Sequence, residues 1–105
     1  RMAGIGDILK QAQKMKAEME RIQAEVAGRT VEGSAGGGMV TAVASGKGEL
    51  LSLRIDPEVA RGEDLEMLQD LVMAAANDAL RKARELLTQE VSRLAGGLGL
   101  PPGLF

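Results

Sequence analysis

Three cations recur at helical spacing in the first part of the chain. Lys10, Lys14 and Arg21 fall within about 40° of one another at 100° per residue. Lys16 lies off that stripe. A second basic group, Arg81, Lys82, Arg84 and Arg93, follows on a later helical stretch. Spacing alone reads each group first as a solvated helix face. The chemistry open to them is pairing with phosphate, which neutralises a duplex backbone with little regard to its sequence. Stacking aromatics are absent, and that weighs against single-strand recognition. Glu18, Glu20 and Glu25 dilute the first stripe in its second half, so any anion-binding surface is concentrated in the first half.

Other chemistries find less support. The stretch from Gly33 to Met39, GSAGGGM, has the glycine content of a phosphate loop. A Walker loop needs Gly-x-x-x-x-Gly-Lys-Ser/Thr, in which backbone amides cradle phosphate, lysine reaches it and the hydroxyl holds magnesium. Read back from Gly46 and Lys47, the chain has Thr41 where glycine is required and Gly48 where the hydroxyl is required. The stretch also leads into a strand, so no helix N-terminus faces a bound phosphate. It reads as a loose hairpin turn. His, Cys and Tyr are missing, which removes the commonest general acids, bases and nucleophiles. No catalytic residue, metal ligand set or cofactor motif is assigned, and an enzyme reading is poor. Glu63, Asp64, Glu66 and Asp70 could be imagined around magnesium, but acids at the start of a long helix ordinarily complement its dipole.

The elements that must position the cations are legible in the pattern of apolar residues. Ile5, Ile8, Ala12, Met15, Met19, Ile22 and Val26 are spaced 3, 4, 3, 4, 3, 4, a heptad seam on a helix over about residues 7–27. Asp7 is its expected N-cap, and Gly28 its expected left-handed C-terminal residue. The seam, Ile8, Ala12, Met15, Met19, Ile22 and Val26 above all, belongs to the core or to a dimer contact. After Gly28 the period becomes two. Thr30 to Glu32, Met39 to Ser45 and Leu50 to Ile55 read as strands of a three-stranded antiparallel meander spanning residues 30–55. Asp56 and Pro57 open a short helical turn.

From about residue 64 to 95 the chain is rich in Ala, Leu, Glu, Arg and Lys and free of Gly and Pro, predicting one long helix. Leu65, Leu68, Val72, Ala75, Ala79, Ala83, Leu86 and Leu94 share its broad apolar face. At about 45 Å such a helix outruns a small sheet, so its stripe needs cover from the first helix, a second chain, or both. Residues 96–105 form a Gly- and Pro-rich tail. The fold class is α+β, in one domain spanning residues 1–105.

Composition fits this reading. The chain has 105 residues, 45% of them apolar, and its one aromatic is Phe105. The core is therefore built from aliphatic side chains and alanine, with Met15, Met19, Met67 and Met73 as core or interface filler. No disulfide can form, and no apolar run approaches about 18 residues. A soluble, cytoplasmic protein with no membrane partner is expected. The net charge of −2 hides a segregated field. Arg1, Lys10, Lys14 and Lys16 against Asp7 give residues 1–17 a charge of +3, while seven carboxylates against Arg61 give residues 56–78 a charge of −6.

Five segments in order resemble one family: KQAQKM from Lys10, GSAGGGMV from Gly33, IDP from Ile55, LEMLQDLVMAAANDALRKARE from Leu65, and LPPG from Leu100. Together they are similar to the YbaB/EbfC nucleoid-associated proteins of bacteria over nearly the whole chain. That resemblance implies an α–β–β–β–α protomer and a tweezer-like homodimer whose helical arms project from a joined sheet. It also implies duplex DNA as partner and the nucleoid as location. On that basis Lys10, Lys14, Lys16, Arg21, Arg81, Lys82, Arg84 and Arg93 become candidate DNA-binding residues. An alternative is an interaction adaptor that docks DNA-repair or replication proteins through its helices, with DNA affinity incidental.

Overall fold

Helix formers dominate both ends of the sequence and β-branched residues its middle, and the backbone divides accordingly. The computed structural model describes residues 4–97. Its elements are α1 (Ile5–Ala27), β1 (Thr30–Ala35), β2 (Val40–Ser45), β3 (Leu50–Ile55), α2 (Pro57–Arg61) and α3 (Leu65–Gly97). Residues 98–105, most of the expected tail, lie outside the described residues, and α3 continues through Gly96 and Gly97.

The sheet is an antiparallel meander in the order β1-β2-β3. Thr30 pairs with Ser45 and Ala35 with Val40, while Val40 pairs with Ile55. The register of β2 and β3 shifts by a bulge between Val43 and Ala44. GSAGGG is only partly a turn, because Gly33, Ser34 and Ala35 belong to β1 and pair with Ala42, Thr41 and Val40. The reversal is made by Gly36, Gly37 and Gly38, all at positive φ, a conformation that glycine adopts without strain. The glycine run therefore ends one strand and turns into the next. No helix follows it.

Two helix ends differ from expectation. The first helix begins at Ile5 with Gly4 as N-cap, and Asp7 sits inside its first turn, where it faces the positive end of the dipole but caps nothing. Gly28 ends α1 at φ −84° and ψ −4°, in the right-handed region. Its N–H still reaches the carbonyls of Ala24 and Glu25, and the chain passes into β1 without the left-handed reversal that a sharper turn requires. The other caps follow the sequence. The Asp56 carboxylate accepts from the Glu58 N–H at 2.9 Å ahead of Pro57, and Asp64 Oδ1 accepts from the Met67 N–H at 2.9 Å at the start of α3.

Packing runs in two segments along α3. Val40, Ala42 and Ala44 of β2 are buried against Ala75, Ala79 and Ala83 of α3, small residues that let the helix lie close to the sheet. Farther along, Ile22 and Val26 of α1 are buried with Leu86 and Val91. Val26 and Val40 are the largest fully buried side chains, each contributing about 1.5–3 kcal/mol by burial. Contacts of Ser34 with Asp78, Glu32 with Lys82 and Arg29 with Glu90 follow one another along α3. The path from α1 into β1 is thus antiparallel to α3. The 33 residues of α3 span about 50 Å, and the molecule measures 74 × 22 × 16 Å. It is a rod with a small sheet on part of its length.

Candidate nucleic-acid interface

Antiparallel packing separates the two basic groups. Arg81, Lys82 and Arg84 lie midway along α3, where Lys82 reaches Glu32 of β1. Only Arg93 stands near the end of α3, beside Glu90, and Lys10, Lys14 and Lys16 lie on the part of α1 beyond that end. The eight candidate cations also divide by what surrounds them. Arg21 is held between Glu18 at 3.0 Å and Glu25 at 2.9 Å on its own helix. Glu18 first, and Glu25 with it, raise its already high pKa further. Arg81 bridges Asp78 and Glu85, and both hold its guanidinium above the ordinary value. Lys82 pairs with Asp78 at 3.2 Å and donates to the Glu32 carbonyl at 3.1 Å. Arg93 stands 3.5 Å from Glu90, which Arg29 also approaches.

Lys10, Lys14, Lys16 and Arg84 have no carboxylate partner among the described residues, and all four are exposed. Exposed ion pairs are worth about 0–1 kcal/mol, so a paired arginine can turn to phosphate. The carboxylates that held it remain beside the anion and offset the gain. Lys10, Lys14 and Lys16 carry no such handicap. They stand on the part of α1 that continues past α3, where Ile5, Ile8, Leu9 and Ala12 are exposed as well.

Within one chain the seam is therefore graded. Ile22 and Val26 are buried, Met15 and Met19 are half-buried, and Ile8 and Ala12 are exposed. Met67 and Met73 of α3 are also exposed and fill no core in a single chain.

Two features were not read from the sequence. Asp78 is a junction: its carboxylate accepts from the Ser34 N–H at 3.1 Å and pairs with Lys82 and Arg81. The Ser34 N–H first, then Lys82 and Arg81, hold it below the ordinary carboxylate range. No local signal announces a contact between residues 44 positions apart. The second is β3, an edge strand on which Leu50, Leu51 and Leu53 are about half exposed. Its apolar run was visible. That α3 lies over β1 and β2 and leaves β3 bare was not.

Chemistry beyond charge is scarce. Among the described residues, no group of three His, Cys, Asp or Glu is placed to hold a metal ion, and no helix is long and apolar enough to cross a membrane. Asp64, imagined as a metal ligand, is the cap of α3.

Comparison with known proteins gives consistent matches. The model of the YbaB/EbfC DNA-binding family matches residues 2–98. A nucleoid-associated protein of Acetivibrio thermocellus is 55% identical over 101 residues, covering 96% of this chain and 89% of its own. One from Caldanaerobacter subterraneus subsp. tengcongensis is 50% identical over 101 residues, covering 96% and 90%. The fold matches the crystal structure of an uncharacterized Helicobacter pylori protein with a TM-score of 0.71 and 27% identity, over 92% of this chain and 98% of that one.

Proposed function

The chain belongs to the YbaB/EbfC DNA-binding family, and from that premise we propose that it binds duplex DNA as a homodimer, chiefly through phosphate contacts from its helical arm. The observation that carries this reading is the cluster of Lys10, Lys14 and Lys16, exposed on projecting α1 and without a carboxylate partner among the described residues. Arg84 adds a similar charge on α3, while Arg21, Arg81, Lys82 and Arg93 contribute after exchanging their present partners. Such contacts carry no base information, so binding tolerates sequence. The protein then acts in the nucleoid as an architectural or regulatory component.

The dimer reading draws on β3. An edge strand offers unpaired N–H and C=O groups to another strand, and here the edge carries Leu50, Leu51 and Leu53. Pairing with a second copy would cover that apolar surface and join two sheets, with the arms of the two protomers projecting from the joint. Closed two-fold assemblies of this kind are the commonest oligomers.

Gel shifts of the full chain on several unrelated duplexes at two salt concentrations test the function. Comparable affinity for each duplex is expected, falling steeply with salt as counterions are released. Absence of duplex binding at low salt would overturn the reading.

A further inference from the structure

The meander has two edges, β1 and β3. Along each, residues of one parity turn their N–H and C=O groups outward, away from β2. On β1 the parity is fixed by Arg29, whose carbonyl accepts from the Gly46 N–H at 3.0 Å in the register of the ladder. Residues 29, 31, 33 and 35 therefore bond toward β2, and Thr30, Glu32 and Ser34 face out. On β3 the parity is fixed by Asp56, whose N–H donates to the Met39 carbonyl at 2.8 Å. Leu53 and Ile55 thus face out.

The two edges are not equally open. The Ser34 N–H donates to Asp78 Oδ2 at 3.1 Å, and the Glu32 carbonyl accepts from Lys82 Nζ at 3.1 Å. Each side chain has the chemistry its target calls for, since a carboxylate only accepts and an ammonium only donates. The spacing fits as well. Four residues of helix rise about 6 Å, and two residues of strand rise about 6.6 Å. Asp78 and Lys82 also pair with each other at 3.2 Å, which holds both over the edge. Gly33, between the two contacts, has no side chain to keep the α3 backbone away. Among the described residues no side chain takes up the outward groups of Leu53 and Ile55 in the same way.

We propose that Asp78 and Lys82 guard the β1 edge against strand addition by a second copy, leaving β3 as the edge open to pairing. The proposal deepens the dimer reading and rests on it for the identity of the incoming strand. Its consequence is closure. Pairing of β3 with its own counterpart is a two-fold contact that occupies the open edge of both chains, so assembly stops at two. Pairing of β3 with an unguarded β1 would be head to tail. It would leave one edge free at each end and grow into a filament. An acid and a base one helical turn apart thus set the size of the assembly.

Asp78→Ala with Lys82→Ala in the full chain tests the guard, read by light scattering over a tenfold range of concentration. The parent should hold at twice the 11.0 kDa chain mass. The double variant should exceed that mass and at least about double it across the range. Ser34→Pro, added to the double variant, should restore two chains, because proline has no N–H to offer an incoming strand and is tolerated on an edge. Growth that Ser34→Pro does not reverse belongs to unfolded chains and overturns the guard. A double variant that keeps the parent's far-UV dichroism and stays at two chains overturns it as well. A parent that scatters as 11.0 kDa removes the dimer reading by itself. The guard then stands if the double variant associates and Ser34→Pro reverses it, and falls if the double variant stays single.

Discussion

Gly33 of β1 and Ala79 of α3 stand backbone to backbone. A β-carbon added at Gly33 would overlap the Ala79 amide nitrogen and come within 2.6 Å of the Ala75 carbonyl oxygen. Backbone cannot rotate aside as a long side chain can. Gly33→Ala is therefore expected to lower stability by at least the usual overpacking cost of about 1–3 kcal/mol. Gly37→Ala meets open space but sits at φ +65°, and should lose only about 1–2 kcal/mol through left-handed strain. Urea midpoints at equal slope compare the two. Equal stability of Gly33→Ala and the parent would show that α3 does not approach the sheet this closely.

Asp78 fastens the same contact. Its carboxyl is held below the ordinary value of 3.8, chiefly by the Ser34 N–H and next by Lys82 and Arg81. The folded state thus binds fewer protons than the unfolded chain as pH falls through the carboxylate range. The stabilisation is complete above the ordinary value and is lost as pH drops toward the lowered one. Asp78→Asn should melt below the parent at neutral pH, and the gap should narrow in acid. A gap that stays constant from pH 7 to about pH 2 would place the effect outside this titration.

The meander and the two flanking helices were legible because their signals are local. A 3-4 spacing from Ile5 to Val26, alternation in VTAVAS and a stretch free of Gly and Pro after Asp64 each specify an element without help from the rest. The ends were less legible. Asp7 has the side chain of a cap, yet the helix starts ahead of it at Ile5. Gly28 can adopt a left-handed conformation, but the path into β1 does not ask for one. Charge was the most deceptive signal. Arg21 shares a stripe with Lys10 and Lys14, and only the fold shows it clamped by Glu18 and Glu25 while the lysines stand clear. Asp78 was invisible for another reason, since Ser34 is distant in sequence.

The bare edge of β3 gives a test of assembly. At micromolar concentration, light scattering should report twice the 11.0 kDa chain mass. Leu51→Asp with Leu53→Asp should return the protein to a single chain, because charge would have to be buried without a partner. Far-UV dichroism should change little, since both residues are already about half exposed in one chain. A parent protein that scatters as 11.0 kDa would remove the dimer from the proposal.

DNA affinity should follow the division between paired and unpartnered cations. Lys10→Ala with Lys14→Ala removes two charges that have no competing carboxylate among the described residues. Affinity should fall on every duplex alike, and the salt dependence should flatten by about 0.9 per lost phosphate contact, hence by about two. Arg21→Ala, on the same stripe, should matter less, because Glu18 and Glu25 already take up the N–H groups of that guanidinium and compete with phosphate for them. Lys47→Ala is the control, exposed in the turn between β2 and β3 and remote from the arm. Helicity and dimer mass should be unchanged in all three. If Arg21→Ala costs as much as the lysine pair, phosphate wins over the local carboxylates and the whole stripe contributes. If Lys47→Ala costs more than either, the binding surface lies on the sheet and not on the arm.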